Sequence, residues 1–375
     1  VWWAAIALAG CGAFQEPRRA VGGPLRIAAD GTDQVLVLTE QDAGEWRKVE
    51  VWSFGAADMK LRWRREVLSA MGESRVDAAL LGAHAGIVWV FANGIHGLTV
   101  SDGRLRWPAD ALRARNTALE GIWPKERRFF ELNRGVVFTA ADAGRYRIDP
   151  ATGQARPAPD GEKAGEEDIA PAYYAPAATY SFQARGALFG DRWLGLADNE
   201  DIAALATRHS TSGLDVGAAR RYQLWTAAVT PEATDTERGY LADYIWRRAL
   251  ANLRPAGAPQ VFLQAGLLRD SGRRAVVRLT DPEGALVLHH DRIDEDAQLQ
   301  LARVTVAGEV RWKTPLPLSV LQSVLPGGRF LVLKGLQYDR ARPRGSDPHH
   351  TAKPQLASVD LASGAVEWVD IAAKR

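Results

Sequence analysis

Cysteine is almost missing from this chain: Cys11 is the only one in 375 residues. An intramolecular disulfide is therefore excluded, and the body of the chain has no thiol for nucleophilic catalysis. An excess of either charge is missing too. The 47 basic and 45 acidic residues are interspersed and leave a net charge of +2, so no broad field is aimed at nucleic acid or an anionic bilayer. No nucleic-acid partner is expected. Beyond the first residues, no stretch approaches the roughly 20 apolar residues that cross a bilayer as a helix. Common catalytic signatures are also lacking, since the chain contains no Gly-rich phosphate loop, no G-x-S-x-G and no H-E-x-x-H. No catalytic residue and no cofactor is assigned. What is present is a 46% hydrophobic composition, that of a globular chain with a sizeable core.

The single thiol sits at an informative place. Residues 2 to 10, WWAAIALAG, form an uncharged apolar run too short to span a membrane, and Leu8-Ala9-Gly10 lead directly into Cys11. This pattern resembles a bacterial lipoprotein signal, in which the cysteine is acylated and becomes the mature N-terminus. The resemblance implies a signal peptide over 1–10, a lipidated tether over 11–24 and a folded domain over 25–375. It also implies attachment in the cell envelope, at the periplasmic face of the outer membrane. Acyl chains contribute about 0.8 kcal/mol per buried methylene, so the lipid is the membrane partner. The bland alternative is a buried N-terminal strand with a core cysteine.

A degenerate repeat runs through the rest. VSDGRLRW ends at Trp107, TVAGEVRW at Trp312 and LASGAVEW at Trp368, each with Gly, then an aliphatic residue two positions on, then Trp two further. AADMKLRW, ending at Trp63, keeps Leu61 and Trp63 without the Gly, while DPATGQAR keeps the turn around Gly153 without the Trp. The period of two predicts a strand with the aliphatic residue and Trp on one face, after a tight turn. Apolar strands lie upstream, in AGIVWVFANG, RGVVFTAADAG, GALVLHHD and GGRFLVLKG, so each unit holds about four strands. Trp63 to Trp107 is 44 residues and Trp312 to Trp368 is 56, near the roughly 40 to 50 residues of a four-stranded propeller blade.

The Gly-x-aliphatic-x-Trp ending, with the hairpins IDPATG at 148–153 and VDLASG at 359–364, resembles the quinoprotein-like (PQQ-like) β-propellers. That resemblance implies an all-β fold, a single β-propeller of four-stranded blades, in which Trp63, Trp107, Trp312 and Trp368 wedge between neighbouring blades. RWLGLADNED, FLQAGLLRD and LTDPEGALVLHHD are similar to a family of bacterial lipoproteins of propeller type, a likeness that brings no activity with it. Six blades are favoured and seven remain open. The early strand 34–40 is expected to pair with the last blade and close the ring.

One segment breaks the β pattern. In TERGYLADYIWRRALANLRP, residues 236–255, Tyr240, Leu241, Tyr244, Ile245, Ala249 and Leu253 recur at helical spacing before Pro255. A helix inserted in a propeller loop is predicted. Its second face would offer Trp246, Arg247 and Arg248 to a partner, Trp and Arg being the types most enriched at binding hot spots; the alternative is a helix that only caps a blade.

Few residues suggest metal chemistry. In HHDRIDED, His289 and Asp291 would share one face of a strand and are the candidate metal pair; the alternative is a polar strand end entering an acidic loop. His349 and His350 lie adjacent in a Pro- and Arg-rich loop, and ADNED at 197–201 reads as a turn. The sequence therefore favours a lipid-anchored envelope propeller that binds other proteins as a module or scaffold. The rival reading is a periplasmic enzyme or a metal or ligand sensor with its site at the mouth of the propeller channel. Cys11→Ser is expected to move the protein from the membrane fraction to the soluble periplasm; retention on membranes washed in high salt refutes the lipid anchor.

Overall fold

The computed structural model describes residues 19–29, 31–43, 46–71, 76–159, 161, 165–175, 179–211, 220–272, 274–294, 297–339 and 352–373. Cys11 with its signal, Glu295, Asp296, His349 and His350 lie outside them. Among the described residues no helix is long and apolar enough to cross a membrane.

The fold is all-β and built from antiparallel sheets. The first sheet holds Arg19–Ala29, Thr32–Ala43, Trp46–Gly55 and Leu61–Met71, in that order. Four-stranded sheets follow over 78–107 and 130–157, and a last one over 320–370, each again in chain order. Between them lies one hydrogen-bonded network of ten strands. It divides into a fourth sheet, Gly186–Phe189, Arg192–Ala197, Arg221–Val229 and Leu250–Pro255, and a fifth, Phe262–Leu268, Glu283–His290, Leu299–Thr305 and Val310–Pro315, to which the short strands Gln183–Ala184 and Arg278–Thr280 are added. Two residue pairs, Arg221 with Leu263 and Tyr222 with Phe262, join these halves.

Continuous apolar runs form these strands because both faces are covered. In 35–38, Val35 and Val37 enter a cluster shared with the sixth sheet, whereas Leu36 and Leu38 enter one shared with the second. Ile87, Trp89 and Phe91 pack toward the third sheet, and Val88 and Val90 toward the first. Leu286 and Leu288 face the sixth sheet, and Ala285 and Val287 the fourth. The stacking order is therefore third, second, first, sixth, fifth, fourth. Among the described residues, no such cluster joins the third sheet to the fourth.

Tryptophan on a glycine turn makes three of the junctions. Trp63 donates its indole N–H to Val100 O at 3.0 Å, Trp107 to Pro150 O at 3.0 Å and Trp312 to Leu361 O at 3.2 Å. Three residues after each acceptor stands a glycine at positive φ, namely Gly103, Gly153 and Gly364. A Cβ on these glycines would lie 2.3, 2.9 and 2.7 Å from the respective indole ring, so the glycine leaves room for the ring as well as for the turn.

The expected sharing of a face by the aliphatic residue and Trp is corrected. In the first, second and fifth sheets the ladder slips between them: Leu61 pairs Phe54 while Trp63 pairs Ser53, Leu105 pairs Leu98 while Trp107 pairs Gly97, and Val310 pairs Val304 while Trp312 pairs Arg303. This bulge turns the two side chains to opposite faces. Leu61, Leu105 and Val310 accordingly pack backward, on the sixth, first and fourth sheets, while each Trp packs forward. Trp368 departs from the rule. Its ladder is unslipped, from Val359 with Val366 to Ala357 with Trp368, so it faces the fifth sheet with Val366 and is 54% exposed. At the junction it would have made, Met59 replaces the glycine and the Ser358 hydroxyl takes the Ala56 carbonyl.

Three further expectations change. Residues 19–24 are not tether but strand, with Val21 opposite Leu38 and a bulge at Gly22 and Gly23 before Leu25 meets Leu36; Val21 and Leu25 supply the apolar side chains that make pairing favourable. Strand 34–40 cannot pair with the last sheet because both its edges are taken by 19–29 and 46–55. First and sixth sheets meet through side chains instead, including Arg26, which donates to the carbonyls of Leu325, Gly327 and Phe330. Finally, the 236–255 helix is reduced to Asp235–Tyr240, started by a capping box between Thr234 and Glu237. Ile245–Trp246 pairs with Ser210–Thr211, and Leu250–Pro255 becomes the outer strand of the fourth sheet, since ladder bonds to 225–229 outweigh a helical propensity weakened by Gly239.

Trp107→Ala is expected to destabilise the protein by about 3 to 5 kcal/mol, the cost of emptying a buried indole site, whereas Trp368→Ala stays within about 0.5 kcal/mol of wild type. Urea unfolding of both variants checks the contrast, and equal losses would refute the role of the glycine turn.

Candidate functional site

The insertion between the last two strands of the fourth sheet presents aromatic side chains to solvent. Leu241, Ile245 and Ala249 are buried beneath it with Trp193, which fixes its backbone. Tyr240 is 46% and Tyr244 39% exposed. Their rings stand edge-on at 6.2 Å, and Tyr240 lies 5.9 Å from the half-buried Trp246. The Trp246 indole donates to Glu237 Oε1 at 3.2 Å, and Tyr244 N–H donates to Tyr240 O at 2.8 Å. Arg247 reaches the Leu205 carbonyl at 2.9 Å, and Arg248 is exposed. The three residues singled out by sequence thus come together, but on a turn and short strand, with Tyr240 and Tyr244 added to their patch.

The two residues of the proposed metal pair have these surroundings, with the buried His289 Nε2 lacking a hydrogen-bond partner among the described residues. His289 is buried, its Nδ1 lies 3.0 Å from His290 O, and its ring stands edge-on to Phe262 at 5.2 Å. Burial pushes the imidazole down to about 4, so it is neutral. Asp291 accepts the Gln298 N–H at 2.7 Å, closing the loop between two strands. Among the described residues no three His, Cys, Asp or Glu side chains gather in metal-binding geometry.

A buried ionic cluster escaped sequence reading. Asp198 is not in a simple turn: it caps the helix Asn199–Ala204, its carboxylate accepting the Asp201 N–H while the Asp201 carboxylate accepts the Asp198 N–H. Arg185 pairs with Asp201 at 2.8 Å and Arg220 with Asp198 at 2.8 Å. The Arg185 guanidinium lies over the Tyr222 ring at 5.3 Å, and burial pushes the Tyr222 phenol up. Two acids facing two arginines balance in charge, and breaking either pair would strand a buried charge. The only sequence signal was the capping pattern in ADNED, because the arginines lie far along the chain.

Residues 165–175 form a strap across the first strands of several sheets. Asp168 accepts backbone N–H groups from Gly165, Arg134 and Gly135, and its Oδ1 is 3.0 Å from His84 Nδ1. Burial opposes its charge, yet these donors hold the carboxyl below its ordinary range. Ile169 exchanges two backbone bonds with Ala83, Ala172 N–H donates to Pro24 O, and Ala175 N–H donates to Gln322 O. Lys334, buried at 1% exposure, donates to the Gly22 carbonyl and sits 4.3 Å from the centre of the Tyr174 ring. Burial pulls its amine down from 10.5 to about 7.

No family model and no curated protein matches the chain. Among solved structures it is similar to a member of the DUF4221 family from Bacteroides vulgatus, at 9% identity and a TM-score of 0.26, over 95% of this chain and 96% of that one.

Between pH 7 and 10.5 the unfolded chain holds a proton on Lys334 that the folded chain does not, so folding stability rises with pH across this window. Below it both states are protonated and the cost of burying the ammonium is constant. Lys334→Met should flatten the rise and stabilise the protein at pH 7 by on the order of a few kcal/mol. Denaturant titrations of both proteins at pH 7 and 10 measure this; identical pH slopes would contradict it.

Proposed function

We propose that the chain is a six-bladed β-propeller of the quinoprotein-like kind, anchored through a lipid on Cys11 at the periplasmic face of the outer membrane, and that it serves as a protein-binding module or scaffold. Six four-stranded units and three repeated Trp-on-glycine junctions support the propeller reading. The observation that carries the binding role is the exposed patch of Tyr240, Tyr244 and Trp246, flanked by Arg247 and Arg248. Surface aromatics cost little entropy to hold, and here a buried apolar base and the Glu237 hydrogen bond hold them before any partner arrives. Its expected partners are envelope proteins.

The strap counts against the rival reading of an enzyme or sensor acting at the channel mouth. In a propeller the first strand of each blade lines the centre, and residues 165–175 bond to first strands of the second, first and sixth sheets. The chain's own backbone then occupies the place where a ligand would converge with several blades.

Crosslinked pull-down from envelope extracts tests the reading. Tyr240→Ala and Trp246→Ala are expected to lose the partner by about tenfold while melting within about 2 °C of wild type. Loss of several degrees with the partner retained would reduce the patch to a lid on the fourth sheet.

A further inference from the structure

A second, chemically different site lies in the groove between the fifth and sixth sheets. Its volume is about 610 Å³, within the usual range for small-molecule sites. One wall is the indole of Trp368, 54% exposed because the missing bulge turns it here rather than onto the first sheet. Thr314 and Pro315, at the end of the fifth sheet, and Gln337 and Gln355, on the sixth, also line the groove. Gln355 is 3% exposed. Among the described residues neither the Gln355 Oε1 nor the Gln337 Oε1 has a hydrogen-bond partner, although both atoms are buried. Such acceptors are costly to leave unmet. Among the described residues, no side chain lining the groove is ionisable.

We infer that this groove binds a neutral saccharide of one or two rings, the C–H face of one ring stacked on Trp368 and its hydroxyls donating to Gln337 and Gln355. The choice of ligand follows from what the walls lack. Among the described residues, a cation would find an aromatic face and amide oxygens but no carboxylate to balance its charge. A proline-rich peptide offers mainly carbonyl acceptors, whereas the groove's unmet groups are themselves acceptors. A sugar supplies several donors and an apolar face on one small, uncharged frame. This site is separate from the Tyr240 patch on the fourth sheet, and it stands whether or not that patch binds protein.

Saturation-transfer difference NMR on the full chain, with cellobiose and N,N′-diacetylchitobiose as probes, tests the assignment. Transfer is expected to the protons on one ring face of at least one disaccharide. Trp368→Ala should weaken it by roughly tenfold at an unchanged melting temperature, and Gln355→Leu should weaken it further in the double variant. Trp246→Ala should leave it intact. Absence of transfer from both sugars, equal transfer in Trp368→Ala, or tighter binding of tetramethylammonium than of either sugar overturns the inference.

Discussion

A Trp ring resting on a glycine turn is the contact on which the arrangement of sheets depends. It combines ring packing, one hydrogen bond from the indole N–H, and a shape requirement that only glycine meets. Each such contact needs the strand to bulge one residue before the Trp. The bulge lets a single short strand bury an aliphatic residue against the preceding sheet and a Trp against the following one. Direction is thereby built into the stack, since the two faces of every unit receive different side chains.

Where this device is absent, other chemistry replaces it. The fourth sheet meets the fifth by backbone contact, with Gly257 so close to the Gly308 carbonyl that a Cβ would lie 2.5 Å away. The sixth meets the first through Ser358 and the Arg26 guanidinium, which reaches three carbonyls of the sixth sheet. The third sheet carries Pro157 where the repeat has Trp, and beyond it no apolar cluster continues to the fourth among the described residues. The strap 165–175 links the third sheet to the others by another route, through Asp168 and Ile169.

Much of the architecture was legible in the chain. Turn glycines, alternating apolar runs and spaced tryptophans identify an all-β fold of repeated four-stranded units, because strand period and turn chemistry are local. Contacts set by distant residues were not legible. The bulge before Trp63 leaves no mark in the Leu-x-Trp spacing, and Tyr240, Leu241, Tyr244 and Ile245 recur at helical spacing around a turn that really exists, while the competing demand for a fourth strand at 250–255 comes from residues 225–229. His289 and Asp291 stand out in the sequence because neighbouring polar residues are visible there, whereas Phe262 beside one and Gln298 beside the other are not. The Arg185 and Arg220 pairs, and the unmet amides beside Trp368, belong to the same class: each is defined by partners from other strands.

Joining the first sheet to the last through side chains alone also sets an order of events during synthesis. Val35, Val37, Trp52 and Phe54 all belong to the first sheet, yet their cover comes from Leu325, Val332, Leu356, Val369 and Ile371, far along the chain. Until the strands over 320–370 have emerged, one face of an otherwise finished sheet is wet and adhesive. A newly made chain must therefore have this face shielded, or be kept unfolded, until the strands over 320–370 arrive to cover it.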